Sequence, residues 1–113
     1  MKKFMVLYYA PLEVVIQNVN FTPEQQALEN DRWMLWFKKC GDRLIDMGNP
    51  LLPGHQITPD GHMKDSDKNV MGYSVLGAEN IEEVKDLVKV NPHIGRNPLC
   101  TIEIYEFLPV PGM

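Results

Sequence analysis

The run Lys3-Phe4-Met5-Val6-Leu7-Tyr8-Tyr9 is apolar at both alternating sets of positions once past its lysine. A strand with one wet face alternates apolar and polar residues, whereas one that is apolar on both sides belongs to a sheet covered on both faces. The run therefore demands two layers of cover, and the rest of the chain must supply them.

Two helices are predicted. Thr22-Pro23-Glu24-Gln25 is a strong helix start: Thr22 suits the cap, Pro23 the first turn, and Gln25 the reciprocal position of a capping box. The helix is expected to run to about Met47, with Gly48 closing it and Pro50 forbidding continuation. Trp33, Trp36 or Phe37, Cys40, Leu44 and Met47 follow helical spacing along it. Trp33-Met34-Leu35-Trp36-Phe37 wraps more than one side, so one face is left over after packing on a sheet. A second helix begins at Asn80, with Glu83 as its box partner and Ile81, Val84, Leu87 and Val88 on one face, and it ends before Pro92.

Three further strands are expected. A short extended piece spans His55 to Thr58, ahead of a turn at Pro59-Asp60-Gly61, and residues 70 to 76 read as a longer strand. Cys100 to Phe107 alternates most cleanly, with Cys100, Ile102 and Ile104 facing one way and Thr101, Glu103, Tyr105 and Phe107 the other. Residues 10 to 21 are expected to be a connection, although Val14-Val15-Ile16 is too apolar for a fully solvated loop and should lie against a partner.

Strand, helix, strand, strand, helix, strand is the ferredoxin-like βαββαβ order of an α+β domain with an antiparallel sheet. At 113 residues the chain fits one domain, residues 1 to 113, able to hide roughly two thirds of its unfolded surface. Two helices cover only one face of such a sheet. The second layer is then expected from another copy, in a symmetric homodimer pairing sheet against sheet.

Charge and composition remove several classes of function. The net charge is -4 and the basic residues are scattered, with no run longer than Lys2-Lys3 or Lys38-Lys39, so a nucleic-acid partner is not expected. No stretch approaches 18 apolar residues, and the N-terminal segment reads as a first strand rather than a signal peptide, so no membrane partner is expected. Cys40 and Cys100 sit in apolar patterns without metal-type spacing and are expected as reduced thiols of a cytoplasmic protein. Asp65-Ser66-Asp67-Lys68-Asn69 imitates the start of a calcium loop but meets Val70 where a Gly is needed and Leu76 where a bidentate Glu is needed. No phosphate cradle, zinc helix or nucleophile elbow is present in the sequence, and no cofactor is expected.

That leaves few candidates for chemistry. Of the three histidines, His62 follows a turn and is expected at the surface, while His55 faces either a cavity or water. His93 has two readings. As a cation near a helix C-terminus it is punctuation beside Pro92; at the mouth of the sheet it is an imidazole set over the Glu103 face. Glu103 either meets solvent or is held in a dimer cavity, where desolvation raises its pKa. Trp33 and Trp36 suit either core or a ligand pocket.

Taken together, "KKFMVLYYAP", the "W..WF...GD.L.D.GNPL" run from Trp33 to Leu51, "GYS" at 72 to 74, "NPHI" at 91 to 94 and "IEIYE" at 102 to 106 resemble the YCII-related family, close to its DGPF-domain branch, over nearly the whole chain. The resemblance implies a dimeric α+β barrel and, in some relatives, a His and Asp pair performing acid/base chemistry in a cleft, including dehalogenation of substituted aromatic rings. It matches Pro92-His93 after the second helix and the helix-one aromatic at Trp36. The chain departs from the family at Ser66-Asp67-Lys68-Asn69-Val70, where the Asp-Gly-Pro-Phe motif is absent, and in having no histidine before His55.

The resulting expectation is a homodimer with a small-molecule cleft between sheet and helices. Trp36, Tyr73 and His55 are the candidate ligand contacts, and His93 with Glu103 the candidate catalytic pair for cofactor-free proton transfer or elimination on a small cyclic substrate. The alternatives are a non-catalytic binding or interaction module and an antibiotic-synthesis-type monooxygenase on the same fold.

Overall fold

The computed structural model describes residues 1–112, the side chains of Asn18 and Val19 excepted. Its elements are β1 (Lys2–Tyr9), α1 (Leu12–Val19), α2 (Pro23–Cys40), β2 (Leu44–Asp46), β3 (His55–Ile57), β4 (Met63–Asp65), β5 (Val70–Ala78), α3 (Ile81–Val88) and β6 (Thr101–Glu106). The main sheet is four-stranded and antiparallel in the order β2-β5-β1-β6. This is the α+β, ferredoxin-like arrangement, with β1 and β5 central.

Three boundaries differ from the sequence reading. The long helix stops at Cys40 rather than near Met47, because Gly41 takes a φ of 56° and closes the helix with its N–H on the Phe37 carbonyl. A single 3-10 turn, Gly41–Arg43, follows. Leu44 then pairs with Leu76 as part of β2, so its apolar side chain serves the sheet edge instead of a helical stripe. The second strand of the fold is thus β2, not the piece at His55, which joins β4 in a separate two-stranded hairpin. Residues 10 to 21 contain α1 rather than an open connection: Val14 is buried against Ala10 and Cys100 within this chain, while Ile16 stays exposed.

The remaining signals behave as their chemistry dictates. Thr22 accepts from the Gln25 N–H while the Gln25 side chain accepts from the Thr22 N–H, completing the capping box. Asn80 caps α3 on the Glu83 N–H, but the Glu83 carboxylate reaches back to the N–H of Glu79 rather than of Asn80. Gly48, at φ 76°, is the C-terminal stop of nothing; a Cβ there would lie 1.7 Å from the Tyr73 carbonyl oxygen, so glycine is needed for the close approach of this segment to β5.

The core lies on one face of the sheet. Phe4, Val6 and Tyr8 of β1 and Leu76 and Ala78 of β5 pack against Trp36 and Cys40 of α2 and Val84, Leu87 and Val88 of α3, with Ile102 and Ile104 of β6 at the margin. The other face carries Met5, Leu7, Tyr9, Tyr73, Val75, Glu103 and Tyr105, following from the registers Leu7↔Tyr73 and Leu7↔Glu103. No helix is long and apolar enough to cross a membrane among the described residues.

Candidate functional site

A cavity of ≈ 700 Å³ opens between α2, the segment from Met47 to Leu52, and the ends of β1 and β5. Its wall is mainly apolar and aromatic: Tyr8, Phe21, Trp33, Phe37, Met47 and Met71 all border it. Tyr8 meets Trp33 edge to face at a ring separation of 5.1 Å, and Trp33 leans on Phe37 at 5.8 Å. Rings held against one another in this way give a rigid apolar wall of the kind that takes small molecules.

Polar groups enter at three points. The first is a hydrogen-bonded chain through Tyr8. Asn91 Nδ2 donates weakly to the Tyr8 hydroxyl at 3.5 Å, Tyr8 donates to Ser74 Oγ at 2.8 Å, and Ser74 donates to the Met47 carbonyl at 2.9 Å. Burial pushes the Tyr8 hydroxyl up to about 12, only partly offset by its hydrogen bonds to Ser74 and Asn91. Tyr8 is therefore a neutral donor whose proton is already committed.

His93 is the second, in the segment between α3 and β6. Its N–H donates to Asn91 Oδ1 at 2.7 Å, which turns the chain after Pro92. Nε2 lies 2.8 Å from the Tyr9 carbonyl oxygen and 3.1 Å from that of Thr101. Two acceptors around one ring nitrogen fix the tautomer: Nε2 carries the proton and donates to both, leaving a lone pair on Nδ1. Burial lowers the His93 pKa, against the raising effect of the two carbonyls, so the ring is neutral at pH 7. The residue is 1 % exposed. Nδ1 has no hydrogen bond among those found within the chain, and His93 is one of the residues that border the cavity.

The third is an ion pair. Arg96, three residues beyond His93, reaches Glu29 on α2, and Glu29 Oε1 also accepts from Trp33 Nε1 at 3.1 Å. Both charged side chains are largely buried, 17 % and 14 % exposed. Glu29 and Trp33 are four apart on α2 and so share a face, and the one carboxylate holds both the indole and the guanidinium at the wall.

The five candidate residues separate. His93 and Tyr73 both border the cavity, Tyr73 only at the edge where β5 passes Gly48 and Pro50, since its register puts it on the sheet face opposite the core. Trp36 does not: it is 3 % exposed in the core, its Nε1 donating to the Leu87 carbonyl at 2.9 Å, and Trp33 takes the wall position one helical turn earlier. His55 stands in the exposed hairpin, 3.6 Å from Asp65, beside a separate cleft of ≈ 190 Å³. Glu103 is on the opposite face of the sheet from His93, because Ile102 packs into the core and the next residue must point away. There Tyr105 donates its hydroxyl to the Glu103 carboxylate, which pushes the Tyr105 hydroxyl up to about 12. His93 and Glu103 are therefore not a catalytic pair within one chain.

Glu29, Arg96 and Tyr8 were not singled out by the sequence as site residues. A glutamate one helical turn before Trp33 was a usable sign for the first. Nothing local marks Arg96, whose partner is distant in the chain. Among the described residues, no group of three or more His, Cys, Asp or Glu side chains is gathered as a metal site. Compared with models of known protein families and with curated proteins, the chain matches none.

Proposed function

We propose that this is a YCII-related protein that binds a small cyclic molecule in the cavity beside Trp33 and uses His93 Nδ1 as a cofactor-free general base. The observation that carries the reading is the state of His93: neutral, with Nε2–H tied to two main-chain carbonyls, Nδ1 left with a lone pair, and the residue bordering an aromatic cavity. A fixed tautomer presents the basic nitrogen without reorganisation, and the imidazolium formed on taking a proton is stabilised by the Tyr9 and Thr101 carbonyls. Glu103 is left out of this site.

The same reading includes a homodimer. Met5, Leu7 and Tyr9 lie part-buried on the sheet face opposite the core, and pairing that face with its copy would bury them further and enclose the Glu103–Tyr105 pair.

A second reading, binding without chemistry, is favoured by the 1 % exposure of His93. One experiment separates the two: a thermal-shift screen of small cyclic ketones and phenols, followed by turnover assays of each hit with the parent and with His93→Gln. General-base catalysis is expected to lose about 10²-fold or more in turnover with ligand affinity within about threefold of the parent. Binding hits that neither protein transforms would establish the non-catalytic reading instead.

A further inference from the structure

The aromatic and charged donors at the cavity wall are committed within the protein. Tyr8 donates to Ser74, His93 Nε2–H to two carbonyls, and Trp33 Nε1–H to Glu29. The one guanidinium at the wall, that of Arg96, is neutralised by the same Glu29 carboxylate. Gln26 Nε2 is likewise occupied, donating to Asn30 Oδ1 at 2.9 Å.

An anionic ligand entering this cavity would meet a cation that already has its counter-ion, and would bring a second carboxylate beside Glu29. Beside a largely apolar wall that juxtaposition is costly, and the ion pair and the committed donors offer the anion no compensation for its lost hydration. A neutral ring meets no such penalty, since the wall offers it aromatic and thioether contacts.

We infer that Glu29 is a specificity-determining residue: by occupying Arg96 and Trp33 Nε1 it restricts the cavity to neutral ring compounds and excludes carboxylates, which Arg96 would otherwise capture. This rests on the cavity being a ligand site, as proposed above, but does not depend on His93 acting as a base. Removing the carboxylate frees a largely buried guanidinium and an indole N–H on one wall, a pair of donors with the geometry to take a carboxylate.

The test uses the isosteric probes 2-naphthamide and 2-naphthoate at pH 7.5, with binding read by quenching of tryptophan fluorescence and by calorimetry. The parent is expected to bind the amide at least tenfold more tightly than the carboxylate. Glu29→Gln is expected to gain at least tenfold for 2-naphthoate, with the amide changed less than threefold. A Glu29→Leu/Arg96→Leu double variant removes both charges together and is expected to keep the parent's preference for the amide; it also serves if Glu29→Gln does not fold. Equal binding of the two probes by the parent, or a preference for the carboxylate, overturns the inference while leaving the cavity as a ligand site. Failure of both probes to bind the parent and the variants alike overturns both.

Discussion

The imidazole Nε2–H of His93 donates to the Tyr9 carbonyl across 2.8 Å and to that of Thr101 across 3.1 Å, so that one ring ties the segment after α3 to the ends of two neighbouring strands. Tyr9 and Thr101 are themselves opposite each other in the β1–β6 ladder. The histidine that borders the cavity is thus also a clasp on the sheet.

Its removal should be costly. His93→Ala strips two main-chain acceptors of a buried donor and leaves a void at a 1 % exposed position. A loss of about 2–4 kcal/mol is expected in urea denaturation. A loss under about 0.5 kcal/mol would mean that the clasp contributes nothing to the fold.

Stability should also fall on the acid side because of this residue. The unfolded chain's His93 takes up a proton as the pH drops through about 6.5, while the buried ring, its pKa lowered by desolvation, stays neutral. The unfolded state then binds more protons, so unfolding becomes easier as pH decreases from about 7 towards 5. His93→Gln should flatten that part of the stability profile relative to the parent, as measured by denaturation at stepped pH. Parallel profiles for the two proteins would contradict the assignment of a neutral, buried ring.

Tyr8 works at the other end of the scale. Its hydroxyl, pushed up to about 12 by burial, keeps a proton that the unfolded chain releases near pH 10. The native state binds more protons in that window, and stability is lost as the pH rises from 10 towards 12, by an amount on the order of 2–3 kcal/mol. Tyr8→Phe should cost about 1 kcal/mol at pH 7 through its lost bond to Ser74, and should remove this alkaline component. Spectrophotometric titration at alkaline pH would check the first statement and denaturation the second.

The two tryptophans should divide structure from binding. Trp36→Ala empties a core position and breaks the bond to the Leu87 carbonyl, with an expected loss of about 3–5 kcal/mol. Trp33→Ala, at a half-buried position on the cavity wall, should cost less stability but abolish binding of any ring compound found in a thermal-shift screen. Retained binding by a folded Trp33→Ala protein would place the ligand elsewhere.

Much of the fold was legible because the signals were local. Thr22 to Gln25 and Asn80 to Glu83 define helix starts through contacts only three residues apart. The alternation in β6 correctly divides Ile102 and Ile104 from Glu103. What misled was spacing without competition. Leu44 and Met47 continue the helical stripe on paper, but Gly41 ends the helix first and the sheet edge claims Leu44. Val14, read as cover for a partner, is cover for Ala10 and Cys100. At the site, Trp33 and Trp36 have the same residue type at helical spacing, and only the approach of α3 decides which is core. The Glu29–Arg96 pair joins distant parts of the chain and had no local pattern to announce it.

Long-range ¹H–¹⁵N NMR of the histidine-labelled protein observes His93 Nδ1 directly. At pH 7 His93 should give the pattern of a neutral ring protonated on Nε2 alone, and addition of 2-naphthol, a ring compound with one hydroxyl to donate, should shift Nδ1 selectively. A ring protonated on Nδ1, or an Nδ1 resonance unmoved while 2-naphthol is bound, would contradict the account.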